Sequence, residues 1–290
     1  MPHSDSRHDR NNKNKLKRTP DMKKLITLLA AIVLTATAAS AQCSSRNTAF
    51  QSGETLMYDL YFNWKFVWLK AGTAYMNTTE TVWNGKPALK TYLITRGSSR
   101  ADKFFVMRDT LTAYCGLDLV PQYYKKGALE GSTYRKNEVW YSYNDGECQV
   151  KMRYQKNKEQ PIFKNQSSRY CAYDMISMLL RARSFDPSNY KEGHRIKFLM
   201  ADGHNCEWQS IVYRGKKKFK MENSNTTYRC LVFSFMEMED GEEKEVVRFY
   251  ITDDKNHLPV RLDLNLNFGT AKAFLTGVKG LRNPQTAKIK

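Results

Sequence analysis

The chain has 290 residues, of which 41% are hydrophobic and 12% are aromatic, and its net charge is +18. This composition excludes an intrinsically disordered protein, because disordered chains lack the apolar residues that a core requires. The positive charge favours anionic partners such as acidic glycans, lipid head groups or envelope polymers.

The first 41 residues are expected to lie outside the folded domain. Residues 1–21 are polar and basic, and they indicate a disordered leader or a misassigned start. Residues 22–41 read as a signal peptide, with an apolar run at 25–38 and a small-residue cleavage site after it. We therefore expect a periplasmic protein, residues 42–290, that binds no nucleic acid. The apolar run is too short to predict an integral membrane protein after processing.

All six cysteines follow the predicted cleavage site: Cys43, Cys115, Cys148, Cys171, Cys206 and Cys230. An exported chain with an even number of cysteines permits disulfides, although scattered buried thiols are an equally supported interpretation. If any pair forms, we expect it to join Cys206 and Cys230. Lipidation of Cys43 is the less favoured alternative to soluble export, because Gln42 is larger than the residue that should precede a lipidated cysteine.

Residues 42–290 are predicted to form a single β domain. Short segments with alternating polarity begin at Glu54, and turn sequences such as Asn84-Gly85 separate them. Roughly a dozen strands at hairpin spacing predict an all-β, mainly antiparallel barrel or half-barrel. No alternating βαβ pattern occurs, which argues against a parallel nucleotide-binding sheet. Residues 155–169 are polar and contain a proline, so this segment is predicted to be a loop.

One amphipathic helix is predicted between the two sets of strands, within residues 170–185. Its apolar residues have helical spacing: Ala172, Met175, Ile176, Leu179 and Leu180. Asp174 is the expected N-cap, because its carboxylate can accept hydrogen bonds from free amides of the first turn. We expect this central helix to plug or cover the curved sheet.

The sequence contains no catalytic, cofactor-binding or metal-binding motif. The three histidines after the leader are isolated, and no nucleophile elbow or phosphate-binding loop occurs. We therefore predict no catalytic residue, cofactor or metal. The alternative is an enzyme that acts on envelope polysaccharide with carboxylates such as Asp109, Asp174 or Asp253, which would have to converge in one pocket.

Residues 133–143 have the densest mixture of aromatic and basic side chains. Such side chains can stack on sugar rings or line an apolar cavity. The candidate binding residues are Arg135, Trp140, Tyr141 and Tyr143, for an anionic glycan or a lipid-like ligand. A half-exposed strand without any ligand would show the same alternation.

Short motifs in a fixed order resemble a known family. They are Gly53-Glu54, Ala71-Gly72, Arg108-Asp109, Leu119-Val120-Pro121, Tyr173-Asp174, Gly193, Asp253, Asn256 to Arg261, and Gly269. This order is similar to that of the DUF3108 family of exported bacterial proteins. The resemblance implies a barrel-like periplasmic domain similar to the YmcC-like fold. The family has no established activity, so the resemblance implies no catalytic residues.

We expect a non-catalytic binding or scaffolding protein of the cell envelope, because export, basic charge and abundant aromatic residues occur without a catalytic motif. A further possibility is an interaction protein that pairs an exposed edge strand with a partner.

Overall fold

The computed structural model describes residues 43–289 except 65–66, 104, 223 and 267–268, so the predicted leader and signal peptide lie outside it. In this part of the chain one sheet contains fifteen strands. The strands are β1 (Glu54–Trp64), β2 (Val67–Trp83), β3 (Lys86–Gly97), β4 (Met107–Gly116), β5 (Pro121–Glu130), β6 (Thr133–Asn144), β7 (Glu147–Lys156), β8 (Ile162–Ser168), β9 (Ala172–Tyr173), β10 (Arg195–Ala201), β11 (Cys206–Lys220), β12 (Thr227–Glu239), β13 (Glu242–Thr252), β14 (Pro259–Leu266) and β15 (Gly269–Lys279). The helix α1 spans Met175–Ala182, and a 3₁₀ turn spans Ala101–Lys103.

The sheet has the order β8-β7-β6-β5-β4-β3-β2-β1-β15-β14-β13-β12-β11-β10-β9. Neighbouring strands are antiparallel except β9 and β10, which are parallel. The two edge strands, β8 and β9, are consecutive in the chain, and the sheet forms a nearly closed barrel. This architecture confirms the predicted mainly antiparallel barrel.

Tight hairpins connect many of the strands, as the turn sequences predicted. Asn84 and Gly85 have φ angles of 49° and 75°, and Asp145 and Gly146 have 51° and 79°. Positive φ at both central residues is the requirement of the two-residue hairpin turn that suits twisted strands. These turns therefore determine the pairing of β2 with β3 and of β6 with β7.

The prediction of a loop at residues 155–169 was wrong for most of that segment, because Gln155 and Lys156 belong to β7 and Ile162–Ser168 is strand β8. This strand pairs only with β7 and lies at the edge of the sheet. Most of its side chains are exposed on both faces. A strand without a buried face needs no apolar alternation, so its composition resembles that of a loop.

Helix α1 is shorter than its sequence pattern predicted and begins at Met175, because Ala172–Tyr173 form β9. Asp174 is its N-cap, and Oδ1 accepts hydrogen bonds from the amides of Ile176 (3.0 Å) and Ser177 (2.9 Å). Met175 was predicted in the apolar face, but 43% of it is exposed.

The helix packs against three core clusters. Ile176 and Leu180 belong to a cluster with β3–β7 residues, Met178 belongs to a second cluster with Phe198, and Leu179 packs against a third. Because three core clusters meet the helix on different sides, its buried residues do not follow a single stripe.

A buried ion pair fixes the C-terminal end of the helix. The C-cap residue Arg183 donates to Glu54 Oε2 (2.9 Å) and to the carbonyl of Asn256 (3.0 Å). Both charged side chains are 1% exposed. The helix is therefore joined to the start of β1 and to the turn before β14 by polar contacts that water does not reach.

The disulfide joins Cys43 to Cys171, so the predicted pairing of Cys206 with Cys230 was wrong. The register explains why: Cys230 lies opposite Lys217, whereas Cys206 pairs with Ala201 at the other end of β11. The sulfur of Cys43 is bonded to Cys171 and therefore cannot carry a lipid in this structure.

Candidate functional site

The four candidate binding residues from the sequence lie on both faces of β6, because successive side chains in a strand point in opposite directions. Trp140 lies on one face. Arg135, Tyr141 and Tyr143 share the other face, where Tyr141 is 7% exposed in the core. Tyr143 donates to the carbonyl of Pro121 (2.9 Å), and Arg135 donates to Glu130 (2.7 Å). The structure therefore does not bring the four residues together.

Trp140 instead belongs to a row of residues that lie directly opposite one another across five strands. The row consists of Lys90 in β3, Tyr114 in β4, Tyr123 in β5, Trp140 in β6 and Lys151 in β7. We call these five residues the aromatic row. Adjacent strands are about 4.8 Å apart, so the row extends about 19 Å across the sheet.

The aromatic row faces away from the helix. The residues that precede or follow its members in the strands, such as Leu89, Ala113, Val139 and Val150, are buried in the cluster that contains the helix residue Ile176. Since alternate side chains occupy opposite faces, the row lies on the outer face of the sheet.

The rings and cations of the row contact one another. The ring of Trp83, from the end of β2, stacks on Tyr114 at a centroid distance of 4.1 Å and on Tyr123 at 5.3 Å. Tyr123 and Trp140 are 5.6 Å apart. Lys90 Nζ is 5.7 Å from the centre of the Tyr114 ring, and Lys151 Nζ is 5.9 Å from that of Trp140.

A hydrogen-bond network holds the middle of the row. Tyr123 donates to Glu138 (2.7 Å), which also accepts from Arg153 (2.7 Å) and pairs with Lys136 (3.0 Å). Burial and the hydrogen bond to Glu138 raise the pKa of Tyr123, so its hydroxyl remains a donor. Burial opposes ionisation of Glu138, but its hydrogen bonds from Tyr123, Lys136 and Arg153 outweigh this effect and lower its pKa.

The electrostatic balance of this surface is positive. Two cations compensate the carboxylate of Glu138, while both end residues of the row are lysines. Among the described residues, no carboxylate forms an ion pair with Lys90 or Lys151. An elongated anionic ligand that covers the rings would therefore meet an ammonium group at each end.

The three carboxylates of the enzyme hypothesis occupy different elements. Burial raises the pKa of Asp109 in β4 to about 6 and that of the N-cap Asp174 to about 6. The carboxylate of Asp174 is already engaged at the helix N-terminus, since its Oδ2 also accepts from Ser177 Oγ (2.8 Å). Asp253 Oδ2 accepts from Lys216 (3.0 Å) in a turn.

The described part of the chain contains clefts on its surface, of which two bear on the enzyme hypothesis. One has a volume of about 700 Å³ and is lined by residues 44–47 and 50–52, Leu117, Asp118 and Arg282, among others. The other, of about 350 Å³, lies between β8 and the start of β11. Asp109, Asp174 and Asp253 line neither of them. The three carboxylates that the sequence suggested for an enzyme therefore do not converge in either cleft; the carboxylates that line the first cleft are those of Glu80 and Asp118.

The described residues contain no group of three or more His, Cys, Asp or Glu side chains that could hold a metal ion. They also contain no helix with the length and apolar character needed to span a bilayer.

Sequence reasoning missed four members of the aromatic row: Lys90, Tyr114, Tyr123 and Lys151. Each lies in a different strand, so no local motif contains them. The sequence signal that could have aligned these residues is the set of hairpin turns, because the length of a hairpin loop determines which residues of the two strands lie opposite each other. However, β4 and β5 shift register between Tyr114 and Cys115, and a composition pattern does not show such a bulge.

Comparison with known proteins gives a family but no activity. No curated protein matches the chain. A β-barrel-like protein of the DUF1849 family from Brucella abortus has a TM-score of 0.49 and 10% identity, over 80% of this chain and 98% of that one. A protein from Bacteroides fragilis, described provisionally as exported and as having a YmcC-like fold, has a TM-score of 0.33 and 8% identity, over 81% and 99% of the two chains.

The family described as "Protein of unknown function (DUF3108)" matches residues 57–276, which cover β2 to β14 completely and most of β1 and β15. The match thus includes the helix and every member of the aromatic row. This chain belongs to the DUF3108 family.

Proposed function

We propose that the protein is a non-catalytic binding or scaffolding protein of the bacterial cell envelope and that it binds an anionic glycan along the aromatic row. The observation that carries this proposal is the direct alignment of three aromatic rings across adjacent strands, with a lysine at each end. Tyr141 and Tyr143 have structural roles in this proposal, and Arg135 lies on the opposite face of β6.

The chemistry of the row suits a sugar polymer with acidic groups. The apolar faces of sugar rings pack against aromatic rings, which supply a large contact area with little conformational freedom to lose. Carboxylate or phosphate groups on the polymer would interact with Lys90 and Lys151. Since the row lies across the strands on an open face, a linear chain can pass over it without entering a closed pocket.

The periplasmic location is part of the proposal. It is supported by the signal-peptide pattern of residues 22–41 and by the disulfide between Cys43 and Cys171, because disulfides persist in oxidising compartments. The provisional description of the Bacteroides fragilis protein as exported agrees with it. Residues 42–290 would then form the mature domain.

The test is the affinity of the purified protein for an acidic polysaccharide, polygalacturonate, and for neutral dextran. We expect binding to polygalacturonate that weakens as salt rises from about 0.1 M to about 1 M, over which the screening length falls from about 10 Å to about 3 Å. Trp140→Ala should reduce the affinity about fivefold or more, since a stacked ring contributes on the order of 1 kcal/mol. Lys151→Gln should reduce it at low salt only.

Matched controls use the other half of the barrel. Trp208 is an exposed tryptophan in β11, and Lys217 is an exposed lysine in the same strand. Trp208→Ala and Lys217→Gln should leave the affinity unchanged. Equal losses in control and row variants, or no binding of acidic and neutral glycans by the wild-type protein, would contradict the proposal.

A further inference from the structure

Strand β2 extends beyond the end of its neighbour β3. Strand β2 begins at Val67, but β3 ends at Gly97, opposite Gly72. Before Gly72, β2 therefore has only β1 as a paired neighbour, apart from one hydrogen bond from the amide of Ser98 to the carbonyl of Ala71 (2.7 Å). On the other side β1 remains paired with β15, through Tyr61 with Lys272 and Phe62 with Ala271, so the unpaired edge at this end belongs to β2.

Apolar side chains are exposed on both faces of β2 near this edge. Trp68 and Leu69 are consecutive, so their side chains point to opposite faces of the strand, and they are 38% and 53% exposed. Lys70 follows on the Trp68 face, where it pairs with Asp59 (2.7 Å) and its side chain is 51% exposed. A strand that packs on a core exposes apolar residues on at most one face, so the exposed pair here is not explained by barrel packing.

The same end of the barrel carries further apolar and cationic groups. The connection that follows β3 lies at this end because the strands form an antiparallel meander. It contains the exposed residues Arg100, Lys103 and Phe105, and 45% of Phe105 is exposed. Lys272 Nζ, which also pairs with Glu222 (3.2 Å), lies 4.2 Å from the centre of the Trp68 ring. Ring and cation therefore occur side by side, as they do where proteins meet the polar surface of a membrane.

We propose that this end of the barrel docks on an anionic lipid surface, with Trp68 and Leu69 in the interfacial layer and Arg100 and Lys103 facing the head groups. A protein partner would present a groove or a flat face to one side of the strand. A lipid interface can contact both faces of an unpaired strand edge. Tryptophan and long cationic side chains suit such an interface, because each has an apolar body and a polar or charged end.

The experiment is vesicle flotation with the chain from Gln42 onward, which contains all the described elements and their core clusters and lacks the apolar run 25–38. Vesicles contain phosphatidylglycerol and phosphatidylethanolamine, or phosphatidylcholine alone. The wild-type protein should bind the anionic vesicles more strongly and lose binding as salt rises. Trp68→Ser with Leu69→Ser should reduce partitioning about tenfold or more, which corresponds to about 1.4 kcal/mol.

Two further variant pairs make the result specific. Val82 and Leu117 are 67% and 50% exposed at the opposite end of the barrel, so Val82→Ser with Leu117→Ser should bind like the wild type. Arg100→Glu with Lys103→Glu should remove most of the preference for anionic lipid. Thermal unfolding measures whether each variant remains folded.

Three outcomes would overturn the proposal: no binding of the folded wild-type protein to anionic vesicles, equal binding by the Trp68 and Leu69 double variant, or an equal loss in the Val82 and Leu117 control. Sedimentation velocity tests whether the chain forms a dimer through this end of the barrel. A wild-type dimer that the Trp68 and Leu69 substitutions dissociate would identify a second copy of the chain, rather than lipid, as the partner of this end.

Discussion

The centre of the barrel and the outer face that bears the aromatic row are built from the same strands, yet their polar groups are arranged differently. In β6, Val139 and Tyr141 pack towards the helix, while Glu138 and Trp140 lie on the outer face. Around the helix, the charge of Arg183 is compensated at close range. On the outer face, the lysines at both ends of the row contact rings rather than carboxylates.

This difference implies that residues near the helix and residues of the outer face have different roles, in stability and in binding respectively. A buried charge that loses its partner retains the cost of desolvation, so changes near the helix should lower the free energy of unfolding. The half-buried rings and the lysines of the row contribute less to folding than a buried ion pair, and they remain accessible to a ligand on the outer face. Substitutions near the helix should therefore affect folding, whereas substitutions in the row should affect glycan affinity.

The largest effect is expected for Glu54→Gln, which leaves the buried guanidinium of Arg183 without a counter-charge. Breaking such a pair typically costs about 3–5 kcal/mol of unfolding free energy, measured by urea denaturation. Replacing both residues, as Glu54→Leu with Arg183→Met, should recover much of this loss. The exposed control Glu159→Gln should change stability by less than about 0.5 kcal/mol. A loss for Glu54→Gln no larger than that of the control would contradict the assignment.

An intermediate effect is expected at the other end of the helix. The pKa of Asp174 is raised from 3.8 to about 6 by burial, so the folded protein holds a proton there that the unfolded chain releases at lower pH. Stability from this group is present at pH 4 and is lost as pH rises from about 4 to about 6. A shift of this size corresponds to about 2–3 kcal/mol.

Asp174→Asn tests this dependence because asparagine is also a good N-cap. The variant should gain unfolding free energy relative to the wild type as pH rises from 4 to 7. Asp174→Ala removes the cap as well and should lose about 1 kcal/mol relative to Asp174→Asn at every pH. Parallel stability curves for the wild type and Asp174→Asn would show that the aspartate does not titrate in this range.

The elements that the sequence predicted correctly are those with local causes. The hairpin at Asn84 and Gly85 follows from residues that tolerate positive φ, and the N-cap chemistry of Asp174 needs only the first turn of the helix. Alternating polarity was sufficient for the barrel class. Strand β8 was missed because an edge strand with two exposed faces has no such alternation.

The aromatic row depends on register, which is a property of several strands together. Lys90 and Lys151 are separated in sequence by three complete strands, and each bulge or turn between them can move one side chain to the opposite face. The disulfide of Cys43 with Cys171 depends similarly on tertiary structure, because it joins the segment before β1 to the segment between β8 and β9. The composition of each segment therefore predicts neither the aromatic row nor the disulfide.

The smallest effect on stability is expected within the row, for Tyr123→Phe. This change removes the hydrogen bond to Glu138 but keeps the ring, and it should cost on the order of 1 kcal/mol of unfolding free energy. Polygalacturonate affinity should stay the same if stacking on the ring, rather than the hydroxyl, binds the sugar. Tyr123→Leu keeps apolar bulk but removes the ring, and it should lower the affinity.

The matched control is Tyr134→Phe, at an exposed tyrosine on β6 outside the row. Equal affinity for Tyr123→Leu and Tyr123→Phe would mean that the rings support the sheet rather than bind a ligand, and the distinction between a structural interior and a binding exterior would no longer hold for these strands.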